Sequence, residues 1–153
     1  MTTTIGFETP TGIGIDDAIQ THSNPDLGLA VFVIFTSINE TLKALEKAQQ
    51  MARPIGANVF VVAVQVVPHP LQLDQPPVSF DFLIKQFEEK ADGQLDNAQI
   101  AIYFCRDQED ALKRVLNANC PVVIGIRKRW FLSREERLAK SLVRAGYDVI
   151  AVS

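Results

Sequence analysis

LAVFVIFTSINETLKALEKAQQMARPIGANVFVVAVQVV, residues Leu29 to Val67, is the stretch that decides the fold. Its first seven residues, Leu29 to Phe35, are apolar without a break and rich in β-branched and aromatic side chains. A strand buried on both faces reads this way, because neither face can hold a polar side chain, and parallel sheets are built of such strands. From Asn39 to Ile55 the period changes. Leu42, Leu45, Ala48, Ala52 and Ile55 recur at spacings of three and four, which places them on one face of a helix. Pro54 and Gly56 end that helix. Val59 to Val67, VFVVAVQVV, is a second doubly buried strand.

The pattern repeats towards the C-terminus. Pro68 to Val78 holds four prolines and is a loop or lid. Ser79 caps a second predicted helix with an apolar stripe of Leu83, Ile84, Phe87, Ala91 and Leu95, and Gly93 weakens its last turn. Ala98 to Cys105 is a third strand. Asp107 caps a third helix with Ala111, Leu112, Val115 and Leu116 inward. Pro121 to Ile126 is a fourth strand. Ser133 and Glu136 form a capping box for a fourth helix, whose Leu138, Leu142 and Val143 face the core and whose end suits Gly146. Val149 to Val152 is a fifth strand. Strands alternating with helices predict an α/β domain: a doubly wound, mostly parallel five-stranded sheet with helices on both faces. That domain covers residues 29–153. Residues 1–28, rich in Thr, Gly and Asp, form a separate arm, either partly ordered or covering a sheet edge or a partner.

Composition narrows the function classes. The chain has 153 residues, enough for one domain with a full core, and a net charge of −3 that gives no global reason to expect nucleic acid. No apolar run approaches the roughly 20 residues that span a bilayer, and Met1 to Pro10 lacks a signal-peptide pattern, so the expected location is cytoplasmic without a membrane partner. Cys105 and Cys120 read as buried free thiols, and His22 and His69 lie far apart, so no metal site is expected.

In doubly wound sheets ligands bind past the carboxyl ends of strands where the strand order reverses. If the first and fourth strands are neighbours, the crevice is lined by Thr36 to Asn39 and Gly125 to Ser133. At this point the segment Val31 to Pro68, with its Ala44-Leu45-Glu46 step and Ile55-Gly56-Ala57 turn, resembles the first strand, helix and second strand of the universal stress protein family. Arg106 to Leu116 is similar to that family's third strand-to-helix junction, and PVVIGI with the final helix and DVIAV resembles its last β-α-β unit. The resemblance spans Leu29 to Ser153 and implies an adenine-nucleotide alpha-hydrolase-like fold with the first and fourth strands side by side.

The departures from the family bear on its ligand. Its nucleotide-binding members carry an Asp at the end of the first strand, where this chain has Thr36. They also carry Gly-x2-Gly-x9-Gly followed by Ser or Thr after the fourth strand, and such glycines let backbone N–H groups approach phosphate. Here Gly125 matches the first glycine and Lys128 stands at the second. The last pair falls on Leu138 and Ala139, or on Glu135 and Glu136 if a short gap is allowed. The resemblance therefore implies a stress-protein-like regulatory or interaction domain that does not hold ATP in the usual way and has no cofactor. It also implies a homodimer through the apolar C-terminal strand and a protein partner whose identity is open.

One feature points elsewhere. Residues 127–144 hold seven basic and two acidic side chains, a net of +5, leaving −8 for the rest of the chain. Arg127, Lys128 and Arg129 follow the fourth strand directly, then Trp130 and Phe131. A solvated helix face over a packed aromatic pair is the plainest reading. A small anion, ATP or another adenine nucleotide included, is the alternative, with Thr36, Ser37, Gly125, Arg127, Lys128, Arg129 and Ser133 as candidate binding residues. A partner surface is the third reading, with nucleic acid a minor case within it. Catalytic residues are not expected, since no base is supplied for Thr36 or Ser37. A flavodoxin-like redox protein or weak nucleotide hydrolase fits the outline but lacks a good phosphate loop, Thr36-Ser37-Ile38-Asn39 being a poor one.

Overall fold

The structure is a computed structural model that describes residues 5–6, 29–67, 78–91, 93, 98–128 and 132–153. Its elements in chain order are β1 (Ile5–Gly6), β2 (Ala30–Ile34), α1 (Ile38–Ala52), β3 (Asn58–Val66), α2 (Val78–Lys90), β4 (Ala98–Cys105), α3 (Gln108–Val115), β5 (Val122–Gly125), α4 (Arg134–Arg144) and β6 (Val149–Val152). The strands form one parallel sheet in the order β1-β4-β3-β2-β5-β6. Five of these are the predicted strands. The sixth, β1, lies in the predicted arm and pairs Ile5 with Ile100 and Gly6 with Ala101 at the β4 edge.

Burial explains the continuous apolar runs. Along β2, Val31 and Val33 enter one core with Ala44, Leu45, Ala48 and Phe87, so α1 and α2 cover that face. Ala30, Phe32 and Ile34 enter a second core with Leu112, Leu138 and Leu142, so α3 and α4 cover the other. Every residue of β2 is buried. Each fully buried Val, Leu or Ile contributes about 1.5–3 kcal/mol by leaving water. Phe35, just past β2, meets Phe87 of α2 edge to face at 5.4 Å between ring centroids, which pins α2 beside the carboxyl end of the sheet.

Three expectations need correction. Ile55 is 56% exposed rather than part of the α1 stripe. The α-helix ends at Ala52, and Arg53–Ile55 winds as a tighter 3-10 turn around Pro54, which turns the side chain out. Gly56 then takes the left-handed conformation at φ 64° and leads into β3. Val143 is also 56% exposed, one position past the inward Leu142. The backbone of α2 begins at Val78, so Ser79 sits inside its first turn and not before it. The Asp16–His22 turn, the proline-rich loop from residue 68 to 77, Leu95, Trp130 and Phe131 lie outside the described residues.

Candidate functional site: a crevice at the switch point

The sheet order reverses at β2. The chain leaves β2 through α1 to reach β3 on one side, while β5 lies on the other. The pairing of Phe32 with Val122 and Ile34 with Ile124 brings both carboxyl ends together. Two residues beyond β2, Thr36 closes the seam. Its hydroxyl donates to the Gly125 carbonyl at 3.3 Å, and its N–H donates to Thr41 Oγ1 at 3.1 Å. Ser37 caps α1, its Oγ accepting from the Glu40 N–H at 3.4 Å.

A cavity of about 790 Å³ opens there, lined among others by Thr36, Ser37, Glu40, Lys43, Lys90 and Arg127. A second of about 290 Å³ shares Thr36 and Leu83 with it and reaches Gln65, Gln108, Arg134 and Glu135. The predicted residues Thr36, Ser37 and Arg127 thus share one cavity. Gly125 stands behind it, bonded to Thr36. Lys128 is exposed and does not line it, and Arg129 lies outside the described residues. Ser133 is buried and spent on its own helix: its Oγ accepts from the Glu136 N–H at 3.1 Å, and Glu136 Oε2 accepts from the Ser133 N–H at 3.4 Å.

Sequence reading missed Glu40, Lys43 and Lys90. Glu40 was detectable, because Ser37 to Glu40 has the same Ser-x-x-Glu spacing as the recognised box at Ser133. Lys90 closes α2, and only the long-range packing of that helix brings it to the crevice.

No family model matches the chain, and no curated protein matches it in sequence. Solved structures do. A universal stress protein from Archaeoglobus fulgidus superposes with a TM-score of 0.61 at 17% identity, over 82% of this chain and 93% of that one. A member of the universal stress protein family from Burkholderia pseudomallei gives 0.56 at 14% identity, over 84% and 98%. The Archaeoglobus fulgidus universal stress protein in complex with dAMP gives 0.59 at 16% identity, over 83% and 99%. This chain has the universal stress protein fold.

Within that fold, two features shape the floor and rim of the crevice. A Cβ built at Gly125 would collide with the backbone carbonyl of Glu40, so the glycine serves the close packing of α1 on β5. The N-terminus of α4 carries a complete capping box and two carboxylates, Glu135 and Glu136, in its first turn. With Arg134 in the same turn the first three residues sum to −1, which works against an anion where the helix dipole would attract one.

Three further titratable groups among the described residues are shifted by burial. Burial, followed by the charge of Asp107, pushes the Cys105 thiol up to about 11, and its Sγ lies 3.8 Å from the Gln65 carbonyl. A thiol held protonated is a poor nucleophile. Burial also raises the Glu88 carboxyl and the Tyr147 phenol above their ordinary values. Among the described residues no group of three or more His, Cys, Asp or Glu side chains is placed to hold a metal ion, and no helix is long and apolar enough to cross a membrane.

Proposed function

We propose that this chain is a regulatory or interaction domain built on the universal stress protein fold, and that its crevice does not hold ATP in the manner of the family's nucleotide-binding members. The observation that carries this reading is the α4 N-terminus, closed by Ser133 and Glu136 and flanked by Glu135. The glycine at Gly125 lends no support to phosphate binding, because packing against Glu40 already requires it. The engagement of the Thr36 hydroxyl with Gly125 favours a non-enzymatic role, since a nucleophile needs a base and not a carbonyl acceptor. Calorimetric titration with adenine nucleotides tests the reading.

A second reading is supported by Arg127, Lys43 and Lys90 around one cavity, together with the dAMP held by a structural relative. In it the cations replace the missing backbone cradle and bind a small anion or nucleotide. Salt-sensitive binding lost in an Arg127→Ala variant would favour it.

The proposed assembly is a homodimer through β6. Among the described residues this strand pairs with β5 alone, which leaves its other edge open. Beside it a groove of about 370 Å³ is lined by Ile126, Ala139, Val143, Val149 and Ala151, with Glu136, Lys140 and Arg144 among them. An open apolar edge invites a second strand. Sedimentation showing twice the chain mass supports this, and a clean monomer at micromolar concentration removes it.

A further inference from the structure

Two helices of the chain start with Ser-x-x-Glu, and only one closes its box. At α4 serine and glutamate exchange both bonds. At α1 Ser37 accepts from the Glu40 N–H, and the Glu40 carboxylate makes no return bond. Glu40 is only 9% exposed, its Oε2 is buried without a hydrogen-bond partner, and it lines the switch-point cavity. Among the described residues the nearest cation is Lys43, whose Nζ lies 3.6 Å from Oε2 at the end of a half-exposed side chain. That separation exceeds hydrogen-bond reach, so Lys43 offers the oxygen a charge nearby but no hydrogen bond. A buried carboxylate oxygen without a donor is costly. The cost is removed by any donor that reaches the oxygen.

Arg127 faces the same cavity and makes no hydrogen bond or ion pair among the described residues. The packing of α1 on β5 brings their two segments together: a Cβ at Gly125, two residues before Arg127, would lie 2.8 Å from Glu40 Cβ. A carboxylate and a guanidinium therefore share one cavity without pairing. Ile38, Leu42 and Leu83 supply apolar lining to the same cavity.

We propose that the crevice is a binding site for a free apolar α-amino acid. The ligand ammonium donates to the Glu40 carboxylate, its carboxylate accepts from Arg127 with Lys90 at the rim, and its side chain lies on Leu42 and Leu83. A phosphate chain is disfavoured at this position because Glu40 faces it. The proposal goes beyond the absence of ATP and is tested separately from it.

The test is calorimetry on the full chain with L-leucine, L-leucine amide, which lacks the carboxylate, and N-acetyl-L-leucine, which lacks the ammonium. The expected result is saturable binding of L-leucine, with both derivatives weaker by about tenfold or more, as befits loss of a charge-assisted hydrogen bond. Glu40→Gln should then erase the preference over N-acetyl-L-leucine, and Arg127→Gln the preference over the amide. Both variants are checked for native melting. The three ligands on the unaltered chain keep the test valid if one variant misfolds. No heat from L-leucine at millimolar concentration, or equal binding of all three compounds, overturns the proposal. An accompanying ATP arm reads only on the function proposed above.

Discussion

Gly125 of β5 and Glu40 of α1 touch through their backbones, so closely that a single added carbon at Gly125 would overlap the Glu40 carbonyl. The contact sets the height of α1 over the sheet and so the shape of the switch-point crevice. It also gives the glycine a purpose that needs no ligand.

Gly125→Ala should therefore destabilise the fold even in the absence of any small molecule. The clash is with backbone, which cannot swing aside as a side chain would. A loss of about 3 kcal/mol, lowering Tm by about 10 °C, is expected in a thermal melt. A variant that melts with the parent chain would show that α1 is free to shift.

Much of this architecture is legible in the chain because the strands of a doubly covered sheet need apolar residues on both faces. LAVFVIF and VFVVAVQVV suit that arrangement, and every side chain from Ala30 to Phe35 is buried, although Leu29 is exposed. The errors fall where geometry depends on neighbours. Ile55 keeps the helical spacing, yet Pro54 lacks an N–H and the chain tightens into a 3-10 turn before the period is complete. Val143 follows the inward Leu142, and its exposure reflects the open groove beside β6. In the crevice, Thr36, Ser37 and Arg127 were found because they follow strand ends. Glu40 was missed because Ser-x-x-Glu reads the same whether or not the carboxylate returns its bond. Lys90 was missed because the Phe35–Phe87 contact that helps seat α2 is long-range.

Stability should rise on mild acidification through Glu88. Burial raises its carboxyl, and its Oε1 is buried without a hydrogen-bond partner. A raised pKa means that the folded chain holds the proton more tightly than the unfolded one. The favourable contribution is full below the ordinary glutamate pKa and is lost as pH rises through the folded value. Denaturation midpoints measured from neutral pH down to the ordinary glutamate range should show this gain in the parent chain. Glu88→Gln should be more stable than the parent at neutral pH and lack that component. An unchanged pH profile in the variant would contradict the assignment.

Cys105 should resist alkylation in the native state. Its thiol is buried and pushed up to about 11, so little thiolate exists near neutral pH. Iodoacetamide followed by mass mapping should leave it unmodified at pH 7.5 and label it after unfolding in guanidinium. Native labelling as fast as that of a free peptide thiol would show that the carboxyl end of β4 opens readily.

The most direct test is calorimetric titration of the full chain with ATP and with AMP, each with and without magnesium. With the α4 N-terminus closed by Ser133 and Glu136, ATP at millimolar concentration should give no saturable heat and no rise in Tm. A ligand present at about 100 times its dissociation constant would add about 2.7 kcal/mol to stability, so binding could not pass unseen. Saturable ATP binding that weakens with salt and disappears in Arg127→Ala would contradict the central claim and place the phosphates on the cationic rim of the crevice.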